Sequence, residues 1–342
     1  MGVQKTNLND EKIQKILKEE YNIKATSISK IDRGTANIFK IEADKNKYIL
    51  KEFVSTNKKE NIIKEINIIE FLKEKNINVP TYTKTIKGEL YTENEGRIII
   101  VQEFVEGYNI ENNSGDYAKT IECASILGRL TKAFMEYPEL SEDNIIEKYF
   151  SKERTYNAIK KMEQLKNTIK EDNKYKAQIE EDLNYRIKIL NYIKNNFDFN
   201  ILEKLTMLNS HGDFCSQQLI YNDEKEPTII DFEKAKKLPI VWEVIRSYSY
   251  IDKNAKDGNI NIDTLVEYFK ESLKYVKLNK YDLKYASYLY LLQVAGSTYG
   301  YEEYNEDYSQ KGLLEFALFR TKLCKNLFEK AEEISLRLTE LN

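Results

Sequence analysis

The stretch HGDFCSQQLIYNDEKEPTIIDFE, residues 211–233, contains the only histidine of the chain and two aspartates, Asp213 and Asp231. Two short apolar runs surround a polar turn, which predicts a β-hairpin with one aspartate ahead of it and the other directly after it. Carboxylates that converge at one end of a hairpin could divide a reaction, since one can accept a hydroxyl proton while the other binds Mg²⁺. The alternative interpretation is that both aspartates only cap helices and turns.

Outside this hairpin, the predicted secondary structure changes near residue 102. Before it, alternating apolar residues predict strands, and apolar residues spaced three and four apart predict helices. The predicted helices are 8–20 and 57–75, and the predicted strands are 26–31, 37–43, 47–53, 81–91 and 97–105. From about residue 115 onward helical patterns dominate, over 118–134, 173–197 and 263–338. We therefore predict an α+β fold with two lobes, residues 1–102 and 103–342, the second containing the hairpin at about 208–233.

Two charged residues of the N-terminal part stand out because they lie on apolar faces. Lys51 shares a strand face with Ile49 and Phe53. Glu65 lies beside the apolar stripe of the next helix, and a buried carboxylate needs a partner. Lys51 is near enough in sequence to be that partner, although a lysine at a sheet edge is the plainer explanation.

Composition limits the classes of function. The chain has 342 residues, with 53 basic and 56 acidic residues and a net charge of −3, so no basic field would attract nucleic acid or anionic lipid. Three scattered cysteines argue against a disulfide framework or a zinc site. Neither a secretory signal nor a long apolar stretch is recognisable, so we expect a cytoplasmic protein without a membrane partner.

The quoted stretch resembles the HGDxxxxN…(I/V)DxE signature of the aminoglycoside phosphotransferase and choline kinase family, which has a protein-kinase-like fold. The similarity includes GTANIFKI, YILKEF, KEINIIEFL, IIIVQEFVEG and LPIVWEVIRSY, in family order over roughly residues 25–250. It implies a bilobal protein-kinase-like fold, with an antiparallel β-sheet and one main helix in the N-terminal lobe. A protein kinase is disfavoured, because DFE stands where protein kinases have DFG.

The resemblance implies a nucleotide site in the N-terminal lobe. Lys51 would contact the ATP phosphates and pair with Glu65, and the backbone near Gly34 and Thr35 would approach the phosphates. The segment that would hydrogen-bond adenine consists of Gln102, Glu103 and Phe104. An ordinary hairpin turn is the alternative for the glycine, and GTP in place of ATP is left open.

The resemblance also implies roles for residues in and beside the hairpin. Asp213 would orient or deprotonate the acceptor hydroxyl, and Asp231 would bind Mg²⁺. Gln218 stands where the family has an Asn that binds a second metal, and its extra methylene shifts the carbonyl oxygen. Glu233 would bind a water or metal, or make only a structural contact.

Two further residues are implied to support the site. His211 would brace the loop rather than act as a base. Glu243 would hold the loop through its backbone, with Arg246 as a partner for Glu243.

The resemblance predicts an ATP- and Mg²⁺-dependent phosphotransferase acting on a hydroxyl of a small molecule such as an aminoglycoside, amino alcohol or sugar. The alternative is a weakly active or non-catalytic nucleotide-binding scaffold that keeps the kinase fold. Tyrosines and acids over 285–308 could receive a cationic acceptor, or could be core tyrosines and a solvated loop. The sequence leaves the oligomeric state open.

Overall fold

A computed structural model of the chain describes residues 6–31, 36–54, 57–223 and 225–341. Contacts group the chain into two compact units, Met1–Asn109 with Gln218–Glu233 and Ile110–Gln217 with Lys234–Asn342. The hairpin segment thus groups with the first unit. The lobe boundary expected between residues 102 and 103 remains a prediction.

Most helices and strands lie where the residue patterns predict them. The helices are α1 Asp10–Tyr21, α2 Lys59–Glu74, α3 Tyr117–Phe134, α4 Ile145–Tyr149, α5 Lys152–Thr168, α6 Lys176–Asn196, α7 Ile240–Ile251, α8 Ile262–Leu273, α9 Lys280–Ala295, α10 Tyr301–Glu306 and α11 Lys311–Thr339. The strands are β1 Ser27–Ile31, β2 Asn37–Ala43, β3 Asn46–Glu52, β4 Thr92–Asn94, β5 Arg97–Glu103, β6 Met207–Ser210, β7 Leu219–Asn222, β8 Lys225–Ile229 and β9 Lys236–Pro239. Within the described ranges, no helix is long and apolar enough to cross a membrane.

The first unit contains an antiparallel sheet with the order β1-β2-β3-β5-β4, five strands among the described residues. The predicted hairpin between β2 and β3 is confirmed, with Ala43 paired to Asn46 across a turn in which Asp44 has a φ of 50°. The strand predicted over 81–91 is wrong. Its alternating residues instead form a bridge at Tyr82 and a turn in which the Gly88 amide donates to the Thr85 carbonyl.

Each face of this sheet meets one helix. Ile13 and Leu17 of α1 pack into a core with Leu50 of β3. Because side chains alternate along a strand, the neighbouring Lys51 points to the opposite face, where it reaches Glu65 of α2. The face of Leu50 therefore packs against α1, and the face of Lys51 carries the charged pair with α2.

The hairpin of β7 and β8 belongs to the first unit because the segment after β5 pairs with it. Tyr108 exchanges backbone hydrogen bonds with Tyr221, at 3.0 and 2.8 Å. Gly107 makes this approach possible, since its φ is 150° and a Cβ there would lie 2.1 Å from the Tyr221 carbonyl oxygen. The Ile229 amide also donates to the Asn78 carbonyl at 2.8 Å.

The second unit is helical, as predicted, with β6 paired to β9. This strand pair was not predicted, because four-residue strands carry too little alternation to be recognised. A fully buried arginine, Arg186 of α6, donates to the carbonyls of Ser297 and Ala317 at 2.6 and 2.8 Å and lies over the Tyr301 ring. Its guanidinium thereby joins α6 to α10 and α11.

Candidate active site

The predicted pair of Lys51 and Glu65 forms, with 3.4 Å between Nζ and Oε1. Both side chains are largely buried, at 17% and 6% exposure, and the Lys51 ammonium lies 4.6 Å from the Phe53 ring centroid. Burial raises the pKa of Glu65; Lys51 opposes the rise, and the charge of Asp231 adds to it. The first unit thus brings three of the predicted residues into one electrostatic cluster.

Asp231 stands where β8 has just ended, with its side chain exposed. Its φ of 68° is in the left-handed region, which costs free energy in any residue other than glycine. The Ile230 amide just before it donates to the Gln218 carbonyl at 3.0 Å. The hairpin therefore brings Gln218 and Asp231 to the same end.

The arrangement fits a magnesium ion that is held partly by phosphates. The charges of Asp231 and Glu233 both raise the pKa of Glu65, which indicates that the three carboxylates are near one another. Lys51 pairs with Glu65 in the same region. Mg²⁺ prefers oxygen ligands and commonly takes one or two carboxylates together with substrate phosphates. In the parts of the chain that the structure describes, no cluster of three or more His, Cys, Asp or Glu side chains could hold a metal alone.

Two backbone amides of the segment predicted to bind adenine already donate hydrogen bonds within the first unit. The Glu103 amide donates to the Thr81 carbonyl, and the Phe104 amide donates to the Lys47 carbonyl, both at 2.9 Å. Because alternate residues of a strand direct their backbone groups to opposite edges, the Glu103 carbonyl faces away from β3. The expectation for Gly34 and Thr35 lies outside the described residues.

The Asp213 loop belongs to the second unit. His211 is fully buried with its ring 6.0 Å from that of Phe214, which suits a brace. Gly212 has a φ of 80°, and a Cβ there would lie 2.2 Å from the Lys234 carbonyl oxygen, so only glycine fits. Asp213 follows with its side chain 38% exposed, a carboxylate on a tightly fixed backbone.

Helix α7 holds this loop through Glu243, which is fully buried. The carboxylate accepts hydrogen bonds from the Phe214 amide at 3.1 Å and from the Ser210 hydroxyl. Burial raises the pKa of Glu243 to about 7, and the bond from Phe214 opposes that rise. The predicted backbone contact of Glu243 is present.

Arg246 takes a different partner from the one expected. Its Nη2 donates to Asp213 Oδ1, and its Nη1 donates to the Phe214 carbonyl at 3.3 Å. The resemblance led us to expect Arg246 as a partner of Glu243. The structure shows that its guanidinium hydrogen-bonds to the loop, while its charge still lowers the pKa of Glu243.

Tyr285 and Tyr288 line a different cleft from the one that Glu302 and Glu303 line. Tyr285 and Tyr288 line one of about 440 Å³, whereas Glu302 and Glu303 line another of about 570 Å³. Glu302 is paired with Lys161 at 2.7 Å, and Glu303 accepts from the Gly300 amide at 2.6 Å. A cation site over residues 285–308 therefore stays a prediction, in which Tyr285 and Tyr288 have no part beside Glu302 and Glu303.

The sequence of the chain matches one known protein family. A family profile described as "Phosphotransferase enzyme family" matches residues 27–270. No curated protein matches the chain.

Several solved structures share the fold at low identity. A spectinomycin phosphotransferase in complex with ADP and spectinomycin is 15% identical, with 96% of this chain and 100% of that chain covered and a TM-score of 0.67. An aminoglycoside phosphotransferase from Alicyclobacillus acidocaldarius is 14% identical, with coverage of 96% and 98% and a TM-score of 0.65. A microcompartment-associated aminopropanol kinase is 12% identical, with coverage of 96% and 100% and a TM-score of 0.60.

The predicted α+β, protein-kinase-like fold is thereby confirmed. The family match spans well over half of the chain and includes the strand of Lys51, the helix of Glu65 and the hairpin that ends at Asp231. The chain therefore belongs to the phosphotransferase enzyme family and is a phosphotransferase.

Proposed function

We propose that the protein transfers the γ-phosphate of ATP, with Mg²⁺, to a hydroxyl group of a small molecule. The observation that carries this proposal is the buried pair of Lys51 and Glu65 with the exposed, conformationally strained Asp231 in the same electrostatic cluster. A lysine fixed by a glutamate beside a metal-binding aspartate is the arrangement that phosphoryl transfer requires.

The nucleotide would be held by three features of the first unit. Lys51 contacts the phosphates, and Glu65 keeps its ammonium in place. For adenine we propose the Glu103 carbonyl and the Val105 amide as acceptor and donor, since the amides of Glu103 and Phe104 already bond to the sheet. Gly34 and Thr35 keep their proposed role near the phosphates.

The metal would be held at the end of the hairpin. Asp231 supplies a carboxylate, and Gln218 and Glu233 are candidates for further oxygen ligands, directly or through water. When bound there, Mg²⁺ neutralises charge on the phosphates.

The acceptor hydroxyl would be oriented by Asp213 in the loop that α7 holds. Phosphoryl transfer asks for little covalent work by the protein, so positioning and charge neutralisation supply most of the catalysis. His211 and Glu243 support that loop and take no part in the chemistry.

Structural neighbours support a nucleotide and a divalent cation. The spectinomycin phosphotransferase was solved with ADP, and an amicoumacin kinase, 13% identical with a TM-score of 0.60, was solved with AMP-PNP, Ca²⁺ and Ami. The neighbours' substrates differ among themselves, so the acceptor is proposed only as a small molecule with a free hydroxyl. An amine on that acceptor remains one option.

The test is a transfer assay with Mg·ATP and a panel of aminoglycosides, amino alcohols, amines and sugars, followed by ³¹P NMR. We expect transfer to at least one acceptor, and Asp213→Ala should abolish it while ATP binding persists. Asp223→Ala, an exposed aspartate at the hairpin tip, is the matched control and should retain full turnover.

Unchanged turnover in Asp213→Ala would contradict the assigned role. A protein that binds ATP but transfers phosphate to no acceptor and to no water would instead support the non-catalytic scaffold. The unusual Gln218 is the observation that keeps this second function open.

A further inference from the structure

We propose that Arg246 is the positioning residue that fixes which oxygen of Asp213 receives the acceptor hydroxyl. This inference rests on the proposed function, because it assumes that Asp213 orients the acceptor. The family resemblance implied only that Arg246 is a partner of Glu243.

One guanidinium makes two contacts with the Asp213 loop. Nη2 donates to Oδ1 of the carboxylate, and Nη1 donates to the Phe214 carbonyl at 3.3 Å. The two acceptors belong to consecutive residues, one on a side chain and one on the backbone. A planar group with donors at fixed angles therefore sets the side-chain torsions of Asp213 relative to the chain.

The guanidinium is itself fixed. Its carbon lies 5.8 Å from the Trp242 ring and 4.9 Å from the Tyr250 ring, and both rings come from positions four residues away on α7. Only 14% of the side chain is exposed. Cations held over aromatic faces are attracted to them, so the rings oppose rotation of the arginine away from the loop.

The two charged residues of α7 hold complementary parts of the loop. Glu243 accepts from the Phe214 amide, and Arg246 donates to the carbonyl of the same residue. Burial is the largest single influence and lowers the pKa of Arg246, but Asp213, Tyr250, Tyr290 and Cys215 together outweigh it, so the pKa is raised above its usual value. Arg246 thus remains a cation, and the loop is held from both sides.

This geometry leaves one oxygen for the substrate. Oδ1 is occupied by Arg246, whereas Oδ2 has no hydrogen bond to any residue that the structure describes. The carboxylate is 38% exposed, so Oδ2 is accessible. We therefore infer that Oδ2 orients the hydroxyl and that Arg246 determines its direction.

The experiment compares wild-type protein with Arg246→Lys and Arg246→Ala, using hydrolysis of Mg·ATP with water in place of the acceptor. We expect kcat to fall about 100-fold in both variants, since a misplacement of about 1 Å in a catalytic group has an effect of that size. KM for Mg·ATP should change less than about twofold, because Arg246 does not contact the nucleotide in this proposal. Lysine should recover little, since one ammonium cannot reproduce the two fixed donors.

Addition of methylguanidinium separates positioning from a general effect on folding. In Arg246→Ala it should restore part of kcat, and it should not affect Arg154→Ala. That control also removes an arginine with two carbonyl hydrogen bonds, to Lys148 and Gly296, but it is away from Asp213.

A wild-type kcat in Arg246→Ala would overturn the inference. So would a loss of kcat that is proportional to the drop in melting temperature and is not reversed by methylguanidinium. Failure of the proposed function is a different result, namely a wild-type protein without turnover or an Asp213→Ala variant with full turnover.

Discussion

Gln218 is the residue on which the proposed metal binding depends most. Its carbonyl oxygen is carried one methylene further from the backbone than that of asparagine, while its own backbone is fixed by the bond from Ile230. Magnesium demands nearly ideal octahedral geometry, so a ligand that is displaced by one methylene binds it less well. The hairpin itself cannot shift to compensate, because Leu219 is paired to Ile229.

We expect Gln218→Asn to lower the Mg²⁺ concentration needed for half-maximal turnover, by about threefold to tenfold. The shorter side chain allows closer approach of the amide oxygen to a metal beside Asp231, and a gain of about 1 kcal/mol corresponds to such a factor. Turnover is measured against Mg²⁺ at fixed ATP. Gln217→Asn, at the exposed neighbouring position, is the control, and identical Mg²⁺ curves for wild type and Gln218→Asn would argue against metal binding by this side chain.

Helix α7 is the element that connects the core of the second unit to the Asp213 loop. All of its residues except Arg246 are buried, yet it contains a glutamate. A buried carboxylate is tolerated here because it accepts hydrogen bonds from the loop, although burial still raises its pKa to about 7. The helix therefore has a stability that depends on pH.

For Glu243→Gln we expect the pH dependence of the free energy of unfolding to weaken between about pH 4.5 and pH 7. An acid with a raised pKa in the folded state stabilises the fold at low pH, and that contribution disappears as the pH rises through the folded value. The wild type should lose about 3 kcal/mol across this window relative to the glutamine variant, an order-of-magnitude figure from the size of the shift.

Urea unfolding at intervals from pH 4.5 to 7.5 measures this difference. Parallel curves for the two proteins would show that Glu243 does not titrate in that range. Glu226→Gln, an exposed glutamate on β8, should leave the pH profile unchanged.

At the scale of the whole molecule, the sequence predicted the fold class and most elements, because long periodic segments identify helices and strands and the motifs occur in family order. It predicted the pair of Lys51 and Glu65 because both residues lie on apolar faces of consecutive elements. The grouping of residues 218–233 with the first unit depends on the approach of Gly107 to Tyr221, a contact between segments distant in sequence. The contact of Arg246 with Asp213 was not predicted, because it depends on the path of the loop after β6, which the spacing of residues in the sequence does not reveal.

Gly107→Ala should therefore destabilise the first unit by a few kcal/mol and weaken ATP binding. A Cβ there meets the Tyr221 carbonyl and forces an unfavourable φ, each with a cost of about 1–3 kcal/mol. Thermal unfolding and ATP titration measure the two effects. Gly312→Ala is the control, since a Cβ at that position meets no neighbour within 4 Å, and an equal effect of both substitutions would contradict the argument.

The left-handed backbone of Asp231 has a consequence for how this protein can change over generations. Glycine adopts that conformation without steric cost and would remove a negative charge that acts on Glu65. Drift toward greater stability alone would thus favour replacement of this aspartate, at the expense of the metal binding proposed for it. At this position, selection for a stable fold would oppose selection for the proposed catalysis.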